Sequence, residues 1–139
     1  MNRGLRFLGV VLGVSLAYQA GCGGTSTPTP LVEVPPGQVE LQEVGEMYRI
    51  FIDDNKRPAR ASKDLLKYAA AFTFGSMALQ EKEVVVFWGA SLQPDSTTVL
   101  AYQKAVPESG GVVLLQDGQT VKSMTAQEFQ SAPKAGSVR

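Results

Sequence analysis

Cys22 is the only cysteine in the chain, and it stands just after an apolar segment near the N-terminus. That placement partitions the chain before any folding argument begins. Asn2, Arg3 and Arg6 form a short basic start, Phe7 to Ala17 is almost wholly apolar, and the residues then become small at Ala20-Gly21-Cys22-Gly23. This is the order of an export signal. The apolar run of about 11 residues falls short of the roughly 20 needed to cross a bilayer, so residues 1–21 read as a removed signal peptide rather than a permanent span. They contribute nothing to the fold.

At the cysteine the chain resembles the bacterial lipoprotein family, whose lipobox places a small residue directly before the cysteine that is lipidated and becomes the mature N-terminus. Ala20-Gly21-Cys22 fits that pattern, while Gln19 stands where the family usually has Leu or another aliphatic residue. The resemblance implies acyl chains, palmitate among them, on Cys22 and a partner that is the membrane itself. Each buried methylene contributes about 0.8 kcal/mol, so several chains on one residue hold a protein far more firmly than one. An Asp after the cysteine commonly retains members of the family at the inner membrane; Gly23 carries no such signal, which implies the outer membrane or its periplasmic face. The plain alternative is an ordinary signal peptide followed by a free or disulfide-paired cysteine, and an odd thiol in an exported protein would then need an explanation, which lipidation supplies.

From Cys22 to Gly37 the composition turns to Gly, Ser, Thr and Pro, as in Thr25-Ser26-Thr27-Pro28-Thr29-Pro30 and Pro35-Pro36-Gly37. Proline withholds backbone donors and favours extended conformations, so this segment reads as a spacer. It has no PxxP context with basic flanks. Residues 38–130 are then one small domain, enough for a single core and not for two. Residues 131–139, with Pro133 and Gly136, read as a frayed tail.

The chain has 13 basic and 13 acidic residues, and loss of Arg3 and Arg6 with the signal leaves 11 against 13. No basic excess is present to grip nucleic acid, and the charges form no single block. Histidine is absent. Ser62, Ser76 and Ser91 therefore lack the usual base, and no motif pairs them with another. Asp53-Asp54 with Asp95 or Asp117 are the remaining acid and base candidates, yet neighbouring residues on a helix point apart and Asp117 is explained by a turn. No oxygen-rich metal loop of the Asp-x-Asp-x-Asp-Gly kind occurs. The expectation is a protein that is not an enzyme and needs no cofactor or metal.

The strongest helical pattern runs from Gln38 to Asn55, where Leu41, Val44, Tyr48, Phe51 and Ile52 fall at i, i+3, i+7, i+10 and i+11. Glu40, Glu43 and Glu46 early, and Lys56 and Arg57 at the end, match the helix dipole, and Pro58 stops the helix. Tyr48 and Phe51 at this spacing read as core rather than as a ligand platform. A shorter helix is expected with Ser62 as N-cap, running through Tyr68 into Ala69 to Ala71. Phe72 to Glu81 is expected to be mostly loop, because Gly75 and Ser76 interrupt its apolar residues.

The second half changes period. Val84 to Trp88 reads as a buried strand ending at Gly89, and Thr97 to Tyr102 as a second. Pro107 to Gly111 reads as a turn, and Val112 to Gln116 and Thr120 to Met124 flank an Asp117-Gly118 hairpin. Thr125-Ala126-Gln127-Glu128 has the spacing of a capping box opening a short C-terminal helix, with Phe129 pinning it to the sheet. The fold class is therefore α+β: a long N-terminal helix and a short helix packed in two layers on an antiparallel meander of about four strands.

The long helix, the Pro-bounded segment and the hairpin from Gly110 to Val121 resemble the globular part of pilin-like secreted proteins of the type II secretion pseudopilin kind. The likeness extends over roughly Gln38 to Phe129 and in particular to the group with a C-terminal His-x9-Asp-Gly signature. Pro107 stands in place of that histidine, and a lipobox replaces the prepilin cleavage motif and its membrane helix. The resemblance implies a lipid-anchored structural or interaction module that docks on other envelope proteins, such as secretion or surface machinery, through a sheet edge or loop face. The other reading is a glycan- or peptide-binding module. It would centre on Trp88, whose ring can stack at an exposed rim or pack into the core, with loops at Gln93 to Asp95 and Pro107 to Gly110.

Overall fold

A computed structural model of the chain describes residues 34–136. The expected signal peptide, the expected lipidation site at Cys22 and most of the expected spacer lie outside the described residues. Helix α1, Gln38–Asn55, buries Leu41, Val44, Gly45, Met47, Tyr48 and Phe51 along one face. It ends where Lys56 turns into the left-handed region at φ 54°, with its N–H donating to the Ile52 carbonyl. Helices α2 (Ser62–Leu66) and α3 (Thr73–Gln80) pack against α1 and against each other.

The sheet is antiparallel and ordered β1 (Val84–Val86), β2 (Val99–Gln103), β3 (Gly111–Leu115), β4 (Val121–Met124). Each strand pairs with the next in sequence, with Val86 opposite Ala101, Tyr102 opposite Val113 and Val113 opposite Lys122. A register irregularity between Val99 and Ala101 interrupts the β2–β3 ladder. Between β2 and β3 lies a single helical turn, α4 (Val106–Ser109), and α5 (Ala126–Ser131) follows β4.

Burial on β3 shows how the layers are arranged. Val112 and Leu114 join the main core with α1, α2 and α3, whereas Val113 and Leu115 join a second cluster with Val106, Met124 and Phe129. Alternate residues of a strand point to opposite faces, so both sides of the sheet are covered. The arrangement is therefore fuller than two layers: a smaller cap made of α4 and α5 closes the far face. Tyr102 lies between Phe87 and Phe129 in that cap, with ring centroids 5.7 and 4.6 Å away.

Several local expectations need correction. Phe72 to Glu81 is not mostly loop, since α3 occupies its centre. Ser62 is the first residue of α2 rather than its N-cap, and Ala61, with no capping side chain, holds the cap position. Beyond Leu66 the chain closes 3₁₀-type turns, Tyr68 N–H to Leu65 and Ala69 N–H to Leu66, so the α-helix does not continue to Ala71. Regular pairing of β1 stops at Val86, short of Trp88. The expected turn at Pro107 is helical because Pro at the first turn withholds a donor that would be unpaired there anyway.

The Asp117-Gly118 connection is longer than a two-residue turn: Leu115 N–H bonds Thr120 C=O, and Gly118 at φ 71° bonds back to Leu115 C=O. The segment after α5 is tied down, not frayed, through Ala135. Val99 N–H donates to Pro133 C=O at 2.8 Å and Ala135 N–H to Val99 C=O at 2.9 Å. The Thr125 capping box is present in both halves.

Candidate functional site

The serines and carboxylates picked out in the sequence do not converge. Ser76 is buried and its hydroxyl meets Met47 Sδ at 3.8 Å, while Ser91 offers its carbonyl to Gln116 Nε2. Asp54 accepts the Tyr68 hydroxyl at 2.6 Å, and Asp95 sits in a left-handed turn at φ 55°. Asp117 closes the hairpin by accepting from the Gln119 and Thr120 backbone amides and the Thr120 hydroxyl. Partial burial of Asp117 opposes ionisation, but those hydrogen bonds outweigh it and hold the carboxyl below its usual range. Among the described residues no group of three His, Cys, Asp or Glu side chains comes together.

Trp88 occupies an intermediate position. It is half-buried, packs against the main core and lines a cleft of 310 Å³ with Ser62, Lys82 and the outer edge of β1. The chain holds it there through Tyr48, whose buried hydroxyl donates to Ala90 C=O at 2.8 Å, and through Gly89 N–H, which donates to Ala59 C=O at 2.8 Å. Burial leads the causes that push the Tyr48 phenol up to about 12. Neither expected companion loop reaches this cleft. Gln93 is bonded to Gln116 in the hairpin, and Pro107 to Ser109 belong to α4, whose Val106 packs in the opposite cap.

A different surface stands out, and the sequence reading missed it. Among the described residues four large apolar side chains are conspicuously exposed, Val34 at 50%, Val39 at 40%, Phe74 at 58% and Met77 at 50%. They surround two adjoining hollows of 270 Å³ each, which share Gly37, Glu40 and Phe74. One hollow runs between α3 and the ends of β1 and β2, with Ala78 and Val84 below and Glu40, Glu81, Glu83 and Lys104 at its margin. The other is lined by Val34, Pro35, Pro36 and Val39.

This surface arises because α3 is built in reverse. Its small residues Gly75, Ser76 and Ala78, with Leu79, face the core, and its large Phe74 and Met77 face outward. Gly75 lets α3 close on α1, since a Cβ there would meet Glu43 Cβ at 2.8 Å and Met47 Cε at 3.0 Å. In the sequence Gly75 and Ser76 look like interruptions. The usable signal was the spacing: Gly75, Ala78 and Leu79 fall at i, i+3 and i+4, and Phe74 and Met77 form a second stripe.

The chemistry of this groove is that of contact, with apolar walls, carboxylates and one ammonium group. No family model, no curated protein and no solved structure matches the chain.

Proposed function

We propose that this chain is a membrane-anchored envelope lipoprotein whose domain is a non-catalytic structural or protein-interaction module, related to secretion or surface assembly of the pilin-like kind. Cys22 supplies the lipid anchor and Gly23 is compatible with the outer membrane. The observation that carries the reading is the exposed cluster of Val34, Val39, Phe74 and Met77 on a domain that otherwise buries its large apolar side chains well. Contiguous exposed apolar surface with a polar rim is characteristic of interaction sites. Its residues come from the start of α1, the segment just before it, and α3, so the groove is built on helices packed to the core.

A second reading, a glycan- or peptide-binding module at Trp88, draws on the half-buried ring beside Ser62 and Lys82. Site-specific photo-cross-linking in the native envelope separates the two. A partner protein captured from position 74 and not from position 88 supports the interaction module. Capture of saccharide or peptide from position 88 alone overturns it. Acyl labelling of wild type against Cys22→Ala tests the anchor, and equal labelling of both would sink it.

A further inference from the structure

We infer that the groove beside Phe74 receives a short segment of another envelope protein in which large apolar side chains are flanked by Lys or Arg. The inference rests on the interaction-module reading and names the chemistry of its partner.

The centre of the groove selects apolar side chains. Phe74 and Met77 stand more than half or half exposed, with Ala78 and Val84 beneath them. A thioether beside an aromatic ring suits such a surface because Met adapts to the shape it meets. Burying both side chains under a partner segment removes their apolar area from water, which favours association.

The margin selects charge. Glu40, Glu81 and Glu83 line the hollow together with a single cation, Lys104. Among the described residues none of the three carboxylates has an ion-pair partner within 4.0 Å or a side-chain hydrogen bond, whereas Glu46 pairs with Arg49 at 2.8 Å and Asp64 with Arg57 at 3.5 Å. Glu43, the next carboxylate along α1, is committed to the Gly75 amide and does not belong to the margin. The groove thus presents uncompensated negative charge around an apolar centre. A segment with basic flanks satisfies both features, and acidic flanks would be repelled.

An anionic bilayer surface is the competing occupant for an apolar patch on a lipid-anchored protein. Its headgroups carry the same sign as Glu40, Glu81 and Glu83, and that repulsion favours a protein segment with basic flanks.

The test is selection of peptides from a random display library on the full lipidated protein in detergent micelles, followed by titration of the best binder and its Lys/Arg→Glu counterpart. The expected pool is enriched in large apolar residues with Lys or Arg flanks, and the acidic counterpart binds about tenfold more weakly, the sum of a few exposed charge contacts. The preference inverts in Glu81→Lys/Glu83→Lys, and Phe74→Asp removes binding while the thermal transition of the domain is retained. A pool without basic bias overturns the inference, as does enrichment indifferent to Phe74→Asp. Absence of any enriched peptide, together with Phe74-dependent binding to phosphatidylglycerol vesicles, transfers the groove to the membrane and also overturns it. Failure of the underlying reading looks different: the peptide preference persists, but no envelope protein is captured from position 74 in the cell.

Discussion

The carboxylate of Glu43 on α1 accepts the backbone N–H of Gly75, in the first turn of α3, at 2.7 Å. The two residues are 32 positions apart in the chain. Phe72, which holds the N-cap position of α3, offers no side-chain acceptor. A helix N-terminus leaves its first amide donors unpaired, so Glu43 supplies from the neighbouring helix what the local sequence lacks.

Removing that acceptor should loosen α3 specifically. Glu43→Ala is expected to lower stability by about 1 kcal/mol, the usual worth of a capping contact. Denaturant unfolding reads the loss, and hydrogen exchange should quicken first at the Gly75 and Ser76 amides. Unchanged exchange there would remove Glu43 from this role.

Gly75→Ala should run against helix propensity. In an open helix the change stabilises by about 1 kcal/mol. Here the new Cβ would lie 2.8 Å from Glu43 Cβ and 3.1 Å from Val44 N, and atoms of the α1 backbone cannot swing aside. Overpacking of this kind costs about 1–3 kcal/mol, so a net loss in the unfolding midpoint is expected.

Tyr48→Phe should cost about 1–3 kcal/mol by leaving the Ala90 carbonyl without its donor inside the core. The same hydroxyl makes stability depend on alkaline pH. In the unfolded chain it ionises near 10.0, but burial pushes the folded value up to about 12. Between those values the unfolded state holds fewer protons, so stability is complete below pH 10 and falls as pH rises toward 12. Tyr102, also raised by burial, adds to the fall in the same direction. Equilibrium unfolding across this range should show a shallower decline for Tyr48→Phe than for wild type.

Asp117 governs part of the acid limb. Its carboxyl is held below 3.8, so its contribution is present above that value and is lost as pH falls beneath it. Asp117→Asn should be less stable than wild type at neutral pH and converge with it in acid. Asp64 and Glu128, lowered by backbone hydrogen bonds from Arg60 and Thr125, keep a residual slope in the variant. A difference between the two proteins that persists unchanged below pH 3 would assign Asp117 no such part.

What was readable in one dimension was what neighbouring residues decide between themselves. Val84 to Val86, Val99 to Tyr102 and Val112 to Leu115 are β-branched or apolar runs between turn residues, and they supply three of the four strands of the antiparallel sheet in an α+β domain. Thr125 and Glu128 satisfy each other's amides three residues apart, so their cap could be read from spacing alone.

What the tertiary structure decided depends on partners distant in sequence. Helix α3 forms because Glu43 caps it and α1 accepts Gly75 at close range, neither of which is visible within Phe72 to Glu81. Pro133 to Ala135 is ordered because Val99 pairs with it on both its N–H and its carbonyl, and Trp88 takes its place because Tyr48 bonds across to Ala90. Cys22 and its neighbours resemble a processing signal, a likeness carried by their order along the chain alone. The groove has no such linear mark, because Val34, Glu40, Phe74, Glu83 and Lys104 become neighbours only when packing of α3 on α1 turns its large residues outward.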